Sequence, residues 1–146
     1  MLVLLDLNVI LDVLGQRQPH YPLASETWIS VESGQVQGLI AAHSITTLYY
    51  LVARHTGPRQ AKAAVDDVLR VFSVAAVDQD ALLHALTLGW GDFEDAAQMA
   101  AAAKAGADYL ITRDPKDFEG GPIPVLQPAE YLALLRGARS RDIGES

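Results

Sequence analysis

The sequence contains no cysteine. That excludes a disulfide framework, a thiolate nucleophile and any zinc site built on sulfur. Basic residues are also scarce, with 11 Lys and Arg against 18 Asp and Glu and a net charge of −7. A chain so balanced does not hold nucleic acid through a bulk basic surface. No apolar run approaches the roughly 20 residues that span a bilayer. Only Leu2 to Leu5 follow Met1 before Asp6 interrupts, whereas a secretory leader needs basic residues and then a longer apolar stretch. A cytoplasmic protein is therefore expected. The phosphate-cradling GxxxxGK[ST] loop and the G-x-S-x-G nucleophile elbow are absent too.

What remains is ample for a core. Half of the 146 residues are apolar, and a chain of this length buries about 70% of its unfolded surface as one domain. The expected domain covers residues 1–136, with a polar, frayed tail over 137–146. Leu2 to Leu5 reads as a strand buried on both faces. Further short strands are predicted at Val36–Ala42, Val74–Val77, Tyr109–Thr112 and Ile123–Leu126. Helical spacing marks Asn8–Leu14, Leu23–Ser33, Ser44–His55, Arg59–Phe72, a helix capped by Asp78 or Asp80 and running to about Leu88, Asp92–Lys104 and a last helix from Pro128 fading near Arg136. Strands alternating with helices predict an α/β fold, a three-layer α/β/α sandwich on a mostly parallel sheet of about five short strands. In such sheets ligands sit beyond the carboxyl ends of the strands, at the point where strand order reverses.

Acids gather at those ends. Asp6 closes the first strand, with Asn8 two residues on, while Asp114 and Asp117 follow the fourth strand. Asp92, Glu94 and Asp95 open the helix leading into it. Residues 92–119 hold seven acids and three bases. Each acid has an ordinary structural use: Asp6 as a helix cap, Asp92 and Asp95 as a cap and a dipole-favoured first-turn acid, Asp114 and Asp117 as a turn and a cap. Those uses do not require all of them to fall on one side of the sheet. Gathered carboxylates raise one another's pKa unless a cation sits among them. Oxygen-only ligands suit Mg²⁺ or Mn²⁺, and such an ion suits phosphodiester hydrolysis.

Three segments carry a resemblance to a known family: Leu4-Leu-Asp-Leu-Asn-Val-Ile-Leu-Asp12, Asp92-Phe-Glu-Asp-Ala96 and Thr112-Arg-Asp-Pro-Lys-Asp-Phe118. In their order and spacing they resemble the PIN-domain family, the VapC-type toxin ribonucleases. The resemblance implies a PIN-like fold and a Mg²⁺- or Mn²⁺-dependent endoribonuclease acting on RNA. It also implies a toxin paired with a cognate antitoxin, working as a homodimer. Asp6, Asp95 and Asp117 correspond to catalytic, metal-binding acids, assisted by Asp92 at the metal or by Asp114, which stands where the closing motif usually has asparagine. Asn8 and Thr112 are similar to supporting residues of the site. In the family a glutamate often follows the second strand. Here Thr47 takes that place in Ser44-Ile-Thr-Thr-Leu-Tyr-Tyr50 and supplies no charge.

Other residues have weaker claims. Arg113 and Lys116 flank Asp114 and are the best placed phosphate contacts, whereas Arg17 and Arg54 read equally well as solvated charge. His43 lies at a strand end, where a cap or a surface hydrogen bond is its ordinary use. Trp28, Tyr49, Tyr50 and Phe72 fall at helical spacing and read as core or dimer contacts rather than base-stacking platforms. The alanine run from Ala96 to Ala103 suits close packing on the sheet. Two other functions stay open: a PIN-like binding module that has lost catalysis, supported by Thr47, and a small phosphatase using Asp6 as nucleophile. The phosphatase chemistry usually needs a second aspartate two residues on, where Asn8 stands.

Overall fold

The computed structural model describes residues 1–145, with side chains over residues 1–141. Five parallel strands, β1 (Leu2–Leu5), β2 (Gln37–Ala41), β3 (Ser73–Ala75), β4 (Tyr109–Ile111) and β5 (Val125–Leu126), form one sheet in the order β3-β2-β1-β4-β5. Seven helices connect and follow them: α1 (Leu7–Leu14), α2 (Tyr21–Glu32), α3 (Ala42–Thr56), α4 (Pro58–Val71), α5 (Gln79–Leu88), α6 (Phe93–Ala105) and α7 (Pro128–Glu145). A single 3₁₀ turn spans Pro115–Phe118.

The central strand explains the layering. In β1 alternate residues point to opposite faces. Val3 and Leu5 enter a core with Ile10 of α1, Trp28 and Val31 of α2, Leu48 of α3, Val68 of α4 and Tyr131 of α7. Leu4 enters a second core with Leu39, Leu110, Met99 and Phe118. Both faces of β1 are thus covered, which is why it reads as a continuous apolar run. The ring of Trp28 meets that of Phe72 edge-on at 5.1 Å, so both are core residues. Ala96, Ala97, Ala100, Ala101 and Ala102 are all buried, and their small side chains bring α6 close to the sheet and to α5. Among the described residues no helix is long and apolar enough to cross a membrane.

Several boundaries differ from the sequence expectation, the last helix most of all. The last helix does not fade at Arg136 but runs on to Glu145. Nothing in Ala138 to Arg141 opposes a helix, and one glycine at 137 costs only about 1 kcal/mol against alanine. At the other end of the chain, α2 begins at Tyr21 and takes Pro22 into its first turn, where the missing N–H has no helical partner to lose.

The topology also fixes where chemistry can occur. From β1 the chain moves outward through β2 to β3, then returns by α5 and α6 to β4 on the other side of β1. The reversal opens a crevice at the carboxyl ends of β1 and β4. Leu5 pairs with Ile111 there, so Asp6 and Thr112 are the next residues beyond the paired strands.

Candidate functional site

Asp6 occupies the N-cap position of α1, yet its side chain makes no capping hydrogen bond. It turns instead to two side chains from other elements. Thr112 Oγ1 donates to Asp6 Oδ2 at 2.8 Å, and Gln98 Nε2 of α6 donates to Asp6 Oδ1 at 3.1 Å. Asp6, Gln98 and Thr112 are all buried. Burial pushes the Asp6 carboxyl above the ordinary carboxylate range, the two hydrogen bonds work against that rise, and the nearby Asp114 adds to it.

The hydrogen bonds continue along the crevice. The backbone N–H of Asp114 donates to Thr112 Oγ1 at 3.1 Å, and Asn8 Nδ2 donates to Asp114 Oδ2 at 3.4 Å. Asp6, Asn8, Thr112 and Asp114 therefore form one connected group across the ends of β1 and β4.

The start of α6 brings the second set of acids. Asp92 caps the helix by accepting from the Asp95 backbone N–H at 3.0 Å, so its cap role is real. One turn further on, Gln98 Nε2 also donates to Asp95 Oδ1 at 3.4 Å. One amide nitrogen thus touches both Asp6 and Asp95. Burial first, then the carboxylates of Asp92, Asp6 and Asp117, push the Asp95 carboxyl up to about 7. Beside it opens a cavity of about 340 Å³ lined by Trp90, Asp92, Asp95, Lys116, Asp117 and Glu119. A larger hollow of about 720 Å³, bounded by α1, α3 and α4, contains none of these acids.

Not every expected residue joins the group. Thr47 Oγ1 donates to the His43 carbonyl at 3.2 Å inside its own helix. Arg113 is paired with Asp12 of α1, Nε to Oδ2 at 3.2 Å, while Lys116 lines the acidic cavity. His43 Nε2 bonds to the Glu94 carbonyl at 3.0 Å and ties the start of α3 to the start of α6. Among the described residues, no three acidic or histidine side chains stand close enough to grip one ion. Gln98 was not anticipated. Its signal was a lone amide in an otherwise alanine-rich helix, three residues after Asp95 and so on the same face.

The donor set nevertheless fits a hard divalent cation. All the groups offered are oxygens, and Mg²⁺ commonly uses only one or two protein carboxylates beside water and substrate phosphate. Asp6 and Asp95 lie within hydrogen-bond reach of the same nitrogen, and the Gln98 Oε1 atom beside it is buried without a partner.

Residues 2–116 match the PIN domain family. The chain belongs to the PIN-domain family. Solved structures with the same fold include VapBC2 from Rickettsia felis bound to a DNA fragment from its promoter, with a TM-score of 0.70 at 15% identity, over 87% of this PIN domain chain and 98% of that one. VapBC-1 from nontypeable Haemophilus influenzae aligns with a TM-score of 0.70 at 16% identity, over 88% and 99%. VapC20 from Mycobacterium tuberculosis, a Sarcin-Ricin loop cleaving toxin, aligns with a TM-score of 0.62 at 20% identity, over 74% and 86%. At these identities the likeness establishes the PIN fold. No curated protein matches the sequence.

Proposed function

We propose that this PIN domain is a Mg²⁺- or Mn²⁺-dependent endoribonuclease that hydrolyses RNA phosphodiesters, the toxin of a cytoplasmic toxin–antitoxin pair. The observation that carries the reading is the pairing of Asp6 with Asp95 around one amide nitrogen at the switch point of the sheet. The fold relatives support the rest. They include a toxin–antitoxin complex from Klebsiella pneumoniae and a Sarcin-Ricin loop cleaving toxin, which favours an antitoxin partner, and a homodimer is proposed with it.

Asp6 and Asp95 would hold the ion, with Asp117 on the cavity wall and Asp114 at the strand end as further acids. A bound divalent ion supplies Lewis acidity and an activated water for attack on phosphorus. Thr112 fixes the Asp6 carboxylate through its hydroxyl. Asn8 steadies Asp114. Lys116, in the wall of an acidic cavity, would meet a phosphate of the RNA. With so few bases, RNA is held locally rather than along an extended surface.

The deciding experiment is Mn²⁺-dependent cleavage of an RNA panel by wild type and Asp6→Asn. The variant should lose cleavage while keeping its circular dichroism spectrum, and undiminished cleavage overturns the assignment. A second reading, a PIN-fold binding module without catalysis, is favoured by Thr47 being bonded within its own helix. Calorimetric titration with Mn²⁺ separates the two, since a binding module need take up no ion.

A further inference from the structure

Gln98 is 4% exposed and sits on α6 with its amide between two acids. Its Nε2 donates to Asp6 at 3.1 Å and to Asp95 at 3.4 Å, while its Oε1 is buried with no hydrogen-bond partner. A buried orphan carbonyl is costly. A side chain serving only to space two carboxylates would have no reason to keep one. An amide has two unlike ends, a donor and an acceptor, on a torsion that turns over at small cost.

We propose that Gln98 is a neutral ligand of the divalent cation, its amide turning so that Oε1 joins Asp6 and Asp95 around the ion. This rests on the metal-binding reading above and adds a residue to it. Without a cation, the nitrogen end satisfies the two acids. With one, the nitrogen end cannot face the positive charge and the oxygen end can. The exchange also answers a shortage in the site. Thr47 contributes no carboxylate, Asp92 is engaged as a helix cap, and no third acid stands within gripping distance among the described residues. An amide oxygen supplies the missing contact without adding negative charge to a place already crowded enough to raise Asp95.

The test measures metal binding on the full chain, without RNA. Mn²⁺ is titrated by calorimetry and by quenching of the fluorescence of Trp90, which lines the adjoining cavity. Wild type, Gln98→Leu, Gln98→Glu and Asp6→Asn are compared at pH 8, each checked by circular dichroism. If Oε1 is a ligand, Gln98→Leu weakens Mn²⁺ binding roughly tenfold or more, and Gln98→Glu, which keeps an oxygen at that end, tightens it. A spacer gives the opposite pattern. Gln98→Leu then binds Mn²⁺ as well as wild type or better while Asp6→Asn still loses it, and the proposal is overturned with the metal reading intact. Absence of saturable binding in wild type overturns both. Should Gln98→Leu fail to fold, Gln98→Glu decides alone: tighter binding supports the ligand role, and equal or weaker binding ends it.

Discussion

Thr112 Oγ1 donates a 2.8 Å hydrogen bond to Asp6 Oδ2, joining side chains that begin where β4 and β1 end. The same hydroxyl accepts from the Asp114 backbone N–H, so one buried oxygen sets both the carboxylate and the turn that follows. Thr112→Val keeps the shape and removes both bonds. A hydrogen bond to a charged group contributes about 1.5–3 kcal/mol, and losing it also removes a force that lowers the Asp6 pKa. Urea denaturation at pH 7 should show a loss of about 2 kcal/mol for Thr112→Val and much less for Thr112→Ser, which retains the hydroxyl. Equal losses in the two variants would point to packing alone.

Asp95 makes stability depend on pH in a defined direction. Its carboxyl is raised from an ordinary 3.8 to about 7 in the folded chain. Between those values the folded protein keeps a proton that the unfolded chain releases, so stability falls as pH rises. The fall starts near pH 4 and levels off above about 7. The raised Asp6 acts with the same sign. Thermal unfolding in EDTA should give a higher Tm at pH 5.5 than at pH 8. In Asp95→Asn that difference should shrink. Added Mn²⁺ should raise the Tm more at pH 8 than at pH 5.5, because bound metal competes with the proton.

Asp12 and Arg113 form a second link between α1 and the segment after β4. The carboxylate is buried, with Arg113 Nε at 3.2 Å and Arg17 at 3.9 Å. Burial raises the Asp12 pKa and the nearby Arg113, His20 and Arg17 work against that rise. Removing the acid strands a half-buried guanidinium, so Asp12→Ala should cost about 2–3 kcal/mol, near the lower end for a broken buried pair because Arg113 retains some solvent. Asp12→Asn, which keeps the volume, should cost less. A double-mutant cycle with Arg113→Gln should return a coupling above about 0.5 kcal/mol. A coupling of zero would free Arg113 for another role.

The residues that were legible in the sequence share a property: their signal is local. A four-residue apolar run ended by Asp6 announces a buried strand and the place where it stops, and glycines at 106 and 89 announce helix ends. Asp92 is a cap because a cap acts on its own helix. The pairing of Arg113 with Asp12 was not legible, since it depends on how the end of β4 meets α1. Gln98 shows the limit best. Its polarity is visible in the chain, but its meaning comes from Asp6, 92 positions away. Only the return of α6 beside the switch point brings them together.

Gly38 leaves the space on β2 that Val31 of α2 and Phe72, just after α4, fill, and that is testable. A methyl group there would meet both Val31 γ-carbons at 2.7 Å and Phe72 Cδ1 at 2.9 Å. Val31 is β-branched and buried, and Phe72 is held against Trp28, so neither has room to retreat. Gly121 offers a control, because the three atoms nearest a methyl there all belong to Met99, with Cε at 2.5 Å. Methionine is unbranched and adapts. Overpacking costs typically about 1–3 kcal/mol. Gly38→Ala should fall at the upper end and Gly121→Ala at the lower, measured by the urea midpoint at a common slope. Because Gly38 lies on β2, beside the strand that carries Asp6, Gly38→Ala should also shift the edge of β1 and weaken Mn²⁺ binding. Gly121→Ala, whose strain the Met99 side chain absorbs, should lower the urea midpoint without that loss of affinity.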